Sequence, residues 1–289
     1  MLNRIALADD FTAVPYLPSS SLWQQYAKTG LSFSTDKPNV IVGPNGAGKS
    51  ALLTLLALHT LTYLTGETAL DDGYTKGREA DAWWSERTWR NPAGYLPGAL
   101  IDSDDAAARY YRPSHIPGND DSVTVALMCG YSKEARAYNA DVDKRSSGQG
   151  CQARLAQLIS ALTAPDWEPT YKHVNWSAGL EPRTLDHRGY VGPWDYRAEV
   201  LKKRRDQVEP HAIPVILMDE PEQSLDALAE LTLWNALRQA DCLSRQVIVA
   251  THSLYPFLHP EHFHVIEAVP GYLQQVREAL GLTGDGAQG

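Results

Sequence analysis

A glycine-rich octapeptide, GPNGAGKS at positions 43–50, contains the residue types that bind a phosphate group. Glycines allow a tight turn in which backbone N–H groups approach phosphate oxygens closely. The octapeptide fits the pattern G-x-x-x-x-G-K-[ST] in full, and it lies between a predicted strand and a predicted helix, the context that this pattern requires. The Lys49 ammonium would neutralise phosphate charge, and the Ser50 hydroxyl would bind Mg²⁺. The predicted nucleotide contacts are Asn45, Gly46, Ala47, Gly48, Lys49 and Ser50.

Two adjacent acids, Asp219 and Glu220, follow the apolar run VILM at 215–218. Unpaired charge at the edge of a core costs free energy, so a buried strand that ends in two acids favours a functional role. We predict that Asp219 holds Mg²⁺ through water and that Glu220 activates an attacking water as general base. The alternative is a solvent-facing acidic turn, since Pro221 ends the strand.

A second apolar run, QVIVA at 246–250, ends in the polar residues Thr251, His252 and Ser253. A single histidine has many structural uses, and in isolation His252 could equally have one. Its position one strand after the carboxylates instead predicts a catalytic role, in which its side chain reaches the γ-phosphate.

These groups need elements that bring them together, and the hydrophobic pattern predicts such elements. Strands are predicted at 39–42, 213–218, 246–250 and 263–268, and helices from 51 onward, at 152–162 and over most of 223–240. Strands and helices alternate through the C-terminal third, which indicates a parallel sheet with helices packed on it. The first 37 residues predict strands joined by a turn.

The composition is that of a folded, soluble protein, with 289 residues of which 43% are hydrophobic and 21% charged. The formal net charge of −9 excludes a globally basic surface for nucleic acid and leaves only a local patch. The 3 cysteines are far apart and form no CxxC pair, which favours a reducing, cytoplasmic location. We find no signal sequence and no apolar run long enough to span a bilayer, so no membrane contact is expected.

The order of the motifs resembles that of ABC-type P-loop ATPases. The DEP turn at 219–221, Leu225-Asp226 and His252 fall in that family's order after the glycine-rich loop. RSSGQ at 145–149 is similar to the family's LSGGQ signature sequence, and more similar to the SAGQ-like versions of double-strand-break-repair ATPases. The match covers roughly Leu31 to Val269, with interruptions.

The resemblance implies an α/β fold: a P-loop NTPase with an ABC-type head, comprising a mostly parallel sheet, N-terminal antiparallel strands and a helical or irregular lobe that carries the signature loop. It implies ATP and Mg²⁺ as cofactors and a signature that acts in trans. Ser146, Gly148 and Gln149 would contact the γ-phosphate bound by the partner subunit, so that two ATP molecules are sandwiched in a head-to-tail homodimer or heterodimer. By itself, RSSGQ is also typical of a flexible Ser/Gly loop.

Three departures from the family pattern narrow the resemblance. No glutamine occurs between Ser50 and Ser146, so the Q-loop glutamine is missing from its expected place, and the stretch around His115 is a candidate substitute. The same interval has no heptads, which excludes the long coiled-coil arms of SMC proteins. DEPEQSLD at 219–226 differs from the DEPTSALD type of transporters and is similar to the turns of stand-alone SMC/RecF-like and OLD-like ATPases.

We predict a single ATPase head over 1–289. It is interrupted by an inserted lobe at 67–145, which leads to the signature loop, and by a second insertion at 163–211. The Gly-rich segment 281–289 is predicted to be a flexible tail.

Two functions are consistent with these motifs. The first is an ATP-hydrolysing switch that controls an effector protein, such as a nuclease or toxin, or a DNA or RNA transaction in genome or antiviral defence or in repair. The alternative is the nucleotide-binding subunit of an ABC transporter, which normally needs the missing Q-loop glutamine. A metabolic P-loop kinase would leave RSSGQ and His252 without a role.

The sequence has one strong basic run, at 202–205. It predicts either a phosphate-binding strip for nucleic acid or, as we prefer, a solvated helix face balanced by nearby acids.

Overall fold

The structure is a computed structural model that describes residues 1–60, 68–69, 96, 98–111, 155–156, 158–164, 204–223 and 225–282. Several predicted features lie outside these ranges and stay predictions. They are the signature residues Ser146, Gly148 and Gln149, the Q-loop candidate His115, the basic residues Lys202 and Lys203, and most of the tail.

A six-stranded parallel sheet forms the centre of the described fold. Its strands are β3 (Asn39–Val42), β4 (Thr68–Ala69), β6 (Ala108–Tyr111), β7 (Val215–Asp219), β8 (Gln246–Ala250) and β9 (His264–Glu267). They lie in the order β4-β6-β7-β8-β3-β9, and every neighbouring pair is parallel. Every residue of β3, β7 and β8 is buried, as expected for parallel strands covered on both faces. The α/β class and the parallel sheet are therefore confirmed.

A smaller antiparallel sheet contains β1 (Leu2–Leu7), β2 (Leu31–Ser32) and β5 (Ala99–Ser103) in the order β2-β1-β5. It includes the predicted N-terminal antiparallel strands. β4, β5 and β6 all come from the span 67–145, so that span contributes one strand to the antiparallel sheet and two to the parallel sheet in addition to any lobe. The division of the chain into lobes stays a prediction.

The helices around the sheets include α1 (Ser21–Tyr26), α2 (Lys49–His59), α3 (Ala227–Arg238), α4 (Tyr255–Leu258) and α5 (Tyr272–Ala279). Residues 204–207 are helical as well. Residues 155–156 and 158–163 are also helical, in agreement with the helix predicted at 152–162. The sequence analysis missed α1, which Ser20 caps by accepting a hydrogen bond from Trp23 N–H. No described helix has both the length and the apolar character needed to cross a membrane.

Alternate residues of the parallel strands pack against different layers because successive side chains point to opposite faces. Ile41, Leu217 and Ile248 join a core formed with α2, α1 and the antiparallel sheet. Val42, Met218 and Val249 join a second core, formed with α3 and the helical residues near 158. The central sheet thus has a hydrophobic core on each face, and both cores hold its strands in place.

The strand order decides where the polar groups meet. β8 lies between β3 and β7, and all three strands run in the same direction. Their carboxyl ends therefore share one edge of the sheet, where α/β folds bind ligands. The glycine-rich loop, the polar triplet at 251–253 and the acids at 219–220 follow these strands side by side.

The basic run requires a correction at Arg204. This residue is only 4% exposed, and its guanidinium donates a hydrogen bond to Asp105 Oδ1 at 2.5 Å. Arg204 therefore belongs neither to a solvated face nor to a phosphate-binding strip, because its charge is buried and paired. Arg205 is exposed and lies 3.8 Å from Asp206.

Near Arg204, the His59 imidazole lies at the end of α2, with a side chain only 13% exposed and Nε2 3.0 Å from Ser103 Oγ. Burial, reinforced by Arg204 and the N-terminal ammonium, lowers the pKa of His59 to about 3. In the unfolded chain a histidine titrates near 6.5.

Between these two pKa values the unfolded chain binds a proton that the folded chain does not. The free energy of unfolding is therefore expected to fall as the pH drops, with His59 contributing about 2 kcal/mol of the loss between pH 7 and pH 5. Urea unfolding at both pH values measures this. His59→Gln, which keeps a neutral polar group, should reduce the dependence, whereas His262→Gln, at a side chain 37% exposed, should not. An equal pH dependence in His59→Gln and the wild type would contradict the assignment.

Candidate nucleotide-binding site

The glycine-rich loop turns around the start of α2 and surrounds the Lys49 side chain. Lys49 is 4% exposed, and its ammonium donates hydrogen bonds to the carbonyl oxygens of Gly43 at 2.8 Å and Pro44 at 3.1 Å. Burial lowers the pKa of Lys49, while Glu220, Asp219 and Glu222 act in the opposite direction. The loop therefore holds its cation at the centre of the turn, next to the carboxylates.

The loop requires glycine at position 48. Gly48 has φ 102°, in the left-handed region, and a Cβ there would lie 2.4 Å from Ser20 Oγ. Any other residue would be strained and would displace the start of α1. The glycine-rich loop and the start of α1 pack so closely that the pattern needs a glycine at position 48.

The remaining loop positions have different exposures. Asn45 and Gly46 are exposed, whereas Ala47 is buried and its N–H donates to Pro44 O at 3.3 Å. The predicted nucleotide contacts thus include an exposed loop tip, Asn45 and Gly46, and a buried part that hydrogen bonds within the loop stabilise.

The proposed magnesium ligands lie together. Ser50 Oγ donates a hydrogen bond to Asp219 Oδ1 at 2.9 Å, and the buried Tyr110 hydroxyl lies 3.3 Å from Asp219 Oδ2. Mg²⁺ prefers oxygen ligands and is commonly bound by one or two protein groups together with phosphates. The described residues contain no group of three His, Cys, Asp or Glu side chains that could hold a metal ion by themselves, but this mode of binding needs none. The oxygen atoms present therefore fit Mg²⁺.

Glu220 has an unusual backbone conformation. Its φ is 49°, in the left-handed region, which is uncommon for a residue other than glycine. Its N–H donates to Ala250 O at 2.8 Å, which continues the pairing of β7 with β8 by one residue. Its side chain is 34% exposed, so the carboxylate is available to solvent and ligands. Local strain of this kind persists where the surrounding structure fixes it, and it is common at functional sites.

The His252 imidazole lies between the cation and the base, with Nε2 3.0 Å from Lys49 Nζ and 3.4 Å from Glu220 Oε1. Burial and the nearby Lys49 charge lower the pKa of His252, against the effect of Glu220 and Asp219. A lysine ammonium only donates, so Nε2 accepts from Lys49 and carries no proton. The imidazole is therefore neutral, and its contact with Glu220 is not an ion pair.

Glu222, two residues after the predicted base, holds the turn that carries His252. Its Oε1 accepts hydrogen bonds from Thr251 Oγ1 at 2.6 Å, His252 N at 2.9 Å and Ser253 N at 3.1 Å. Its Oε2 is buried, and no described residue forms a hydrogen bond with it. Burial raises the pKa of Glu222, and the bonds from Thr251 and His252 oppose this effect.

One aromatic side chain contacts the exposed tip of the loop. The Tyr16 hydroxyl donates a hydrogen bond to Gly46 O, and the residue is 52% exposed. Sequence analysis missed Tyr16, Tyr110 and Ser20, because no local pattern marks a residue whose partner is far along the chain. Glu222 lies within the DEPEQSLD sequence at 219–226, but the sequence analysis assigned it no role.

The structure thus brings Lys49, Ser50, Asp219, Glu220 and His252 to one edge of the sheet, as expected from the order of the strands. A cavity of about 760 Å³ lies elsewhere, at the opposite end of α2, and is lined by His59 and Arg204 among others. The two ends of this helix are roughly 15 Å apart, so the cavity is separate from the loop.

Comparison with known proteins gives an informative likeness. The chain is 25% identical over 251 residues to the cytochrome c biogenesis ATP-binding export protein CcmA of Paramagnetospirillum magneticum, and the alignment covers 85% of this chain and 91% of that protein. This likeness supports an ABC-type ATPase. No family model matches the chain. The similarity also supports ATP binding and hydrolysis, whereas the SMC/RecF-like or OLD-like branch has no support from it.

Proposed function

We propose that this chain binds ATP with Mg²⁺ and hydrolyses it to ADP and phosphate at the edge formed by β3, β7 and β8. One observation carries the proposal: a buried lysine, a hydroxyl–carboxylate pair and a histidine–glutamate pair follow three adjacent parallel strands, within hydrogen-bonding distance or close to it. Each of these groups has a role in the transfer of a phosphoryl group to water.

The loop amides and the start of α2 would bind the β- and γ-phosphates. Lys49 would exchange its contacts with the loop carbonyls for phosphate oxygens, which gives its buried charge a better partner. Ser50 and Asp219 would hold Mg²⁺, which neutralises phosphate charge when bound.

Glu220 would accept a proton from the attacking water as general base. The neutral His252 imidazole, which lies between Lys49 and Glu220, would orient that water against the γ-phosphate. This division of roles agrees with the geometry because the base is half-exposed and the histidine is the group nearest to both charges.

We further propose that hydrolysis requires a head-to-tail dimer in which Ser146, Gly148 and Gln149 of one subunit contact the ATP bound by the other. This proposal depends on the resemblance of RSSGQ to the family's signature sequence and on the likeness to an ABC-type ATP-binding protein.

Ser146→Arg tests both proposals. We expect Mg²⁺-dependent ATP hydrolysis by the wild type, and a rate at least about ten-fold lower in the variant because the added bulk and charge prevent closure, a ten-fold loss corresponding to about 1.4 kcal/mol. Binding of a fluorescent ATP analogue should be unchanged. Ser244→Arg, at an exposed turn, is the matched control. Unchanged hydrolysis in Ser146→Arg would contradict the role of the signature in trans, and the absence of hydrolysis in the wild type would contradict the proposed activity.

A second observation bears on what hydrolysis drives. The relative is named as an export protein, which favours the transporter-subunit alternative over control of an effector. We therefore propose a nucleotide-binding subunit that acts on a membrane-embedded partner. Control of a nuclease, toxin, DNA or RNA, and a role in genome defence, stay predictions without support from the described residues. Purification of the tagged chain from detergent-solubilised cells distinguishes the two: an exporter subunit brings down a protein with several membrane spans, and an effector switch brings down a nuclease or toxin.

A further inference from the structure

The Glu222 carboxylate joins two turns that carry the proposed chemistry. Glu222 lies in the turn after β7, where Gln223 N–H donates to Glu220 O at 3.0 Å. Its Oε1 accepts three hydrogen bonds from Thr251, His252 and Ser253, the three residues that follow β8. A single oxygen atom thus fixes the His252 turn relative to the Glu220 turn.

This arrangement is not the one that stability alone would favour. The second carboxylate oxygen, Oε2, is buried and has no hydrogen-bond partner among the residues that the structure describes, which costs free energy. A buried carboxylate with one unsatisfied oxygen therefore needs an explanation beyond its contribution to the fold. The three donors on the other oxygen indicate that its use is to hold the 251–253 turn in place.

A second contact supports the same turn from another element. Ser253 Oγ donates to Glu230 Oε1 on α3 at 2.5 Å, and Tyr255 N–H donates to Ser253 Oγ at 3.2 Å. These bonds fix the far side of the turn, whereas the Glu222 bonds fix the side that faces the catalytic groups. Only the Glu222 bonds include the His252 backbone itself.

We propose that Glu222 is a positioning residue for ATP hydrolysis, which holds the His252 imidazole between Lys49 and Glu220 by fixing the backbone of residues 251–253. The inference rests on the proposed function and specifies how its histidine is oriented. Without the carboxylate, the Thr251 hydroxyl and the His252 N–H lose their acceptor, and the Ser253 N–H keeps only Thr251 Oγ1, at 2.9 Å. The turn is then free to move the imidazole away from the phosphate.

Glu222→Ala and Glu222→Gln form the test, because glutamine keeps an acceptor oxygen at the position of Oε1 and alanine does not. We expect Glu222→Ala to lower kcat for ATP by about 10- to 100-fold, the usual cost of losing a group that orients a functional side chain. The Kd for ATP should stay within about three-fold of the wild type, since Lys49 and the loop are untouched. Glu222→Gln should retain kcat within about three-fold. Glu261→Ala, at a carboxylate 61% exposed, is the matched control.

A double-mutant cycle with His252→Ala separates positioning from general stability. If Glu222 acts through His252, Glu222→Ala should add no further loss of kcat in the His252→Ala background. An equal loss in both backgrounds, or a wild-type kcat in Glu222→Ala, would overturn the proposal. If Glu222→Ala does not fold, Thr251→Val, which removes one of the three donors, should lower kcat several-fold, and an unchanged kcat would have the same meaning.

Hydrogen exchange of the His252 and Ser253 backbone amides gives a readout that needs no activity. Exchange should be several-fold faster in Glu222→Ala than in the wild type, and unchanged in Glu222→Gln. Wild-type exchange rates in Glu222→Ala would overturn the positioning role even if the chain hydrolyses ATP. Conversely, faster exchange in a chain that does not hydrolyse ATP would contradict the proposed function and leave the fixed turn supported.

Discussion

Lys49→Ala is expected to abolish tight ATP binding. The wild-type ammonium is buried at the centre of the loop and makes hydrogen bonds to two carbonyl oxygens that a phosphate would replace. Removing one partner of a buried charge pair costs about 2–5 kcal/mol, which corresponds to a loss of affinity of roughly 30-fold or more. Alanine also removes the Lys49 donor from both loop carbonyls, and only Pro44 O keeps another, the Ala47 N–H, so the empty loop should be less ordered.

Titration with a fluorescent ATP analogue measures this loss. Lys28→Ala is the matched control: it removes the same charge at an exposed lysine, and it should bind the ATP analogue as the wild type does. Thermal unfolding of both variants shows whether the loss is local. Tight ATP binding by a folded Lys49→Ala variant would contradict the assignment of the phosphate-binding loop.

Glu220→Gln is expected to slow hydrolysis by about 10²- to 10⁴-fold, the usual contribution of a general base, without weakening ATP binding. Glutamine has nearly the shape of glutamate but cannot accept the proton of the attacking water. The ATP complex should therefore persist, and the dimer that it stabilises should accumulate because hydrolysis no longer removes the bias toward closure.

Two measurements check this prediction. Single-turnover hydrolysis gives the rate, and size-exclusion chromatography with Mg²⁺ and ATP gives the oligomeric state. Glu261→Gln, which removes an exposed carboxylate, should behave as the wild type. A wild-type rate in Glu220→Gln would rule out Glu220 as the base. A variant that binds ATP but elutes only as a monomer would rule out the homodimer and require a different subunit to supply the signature.

The strands and the charged residues at their ends could be predicted because they depend on local pattern. The buried run at 246–250 is a strand with the predicted bounds. The strand predicted at 213–218 is Val215–Asp219 in the structure, so it begins two residues later and ends on Asp219. The strand predicted at 263–268 is His264–Glu267 in the structure, and the helix predicted over most of 223–240 is Ala227–Arg238. The helix begins there because Asp226 is its N-cap and accepts hydrogen bonds from the N–H groups of Leu228 and Ala229.

The contacts that complete the site could not be predicted in the same way. Ser20 leaves no room for a side chain at position 48, the Tyr110 hydroxyl lies close to Asp219, and Glu222 accepts hydrogen bonds from the 251–253 turn. Each pair is separated by tens of residues or more, and none of these residues has a pattern that names its partner. The buried Arg204 shows the same limit, because a basic run gives no sign of which member pairs with Asp105.

The order of strands in the parallel sheet also governs how this site is made during synthesis. β3, which carries the phosphate-binding loop, pairs only with β8 and β9, and both are translated near the end of the described chain. β3 therefore leaves the ribosome long before β8 and β9 have been synthesised, and until then it has no strand to pair with. Such long-range pairing is slow and exposes strand edges to aggregation. A fragment that ends before β8 would consequently contain the whole glycine-rich motif and still lack a nucleotide site.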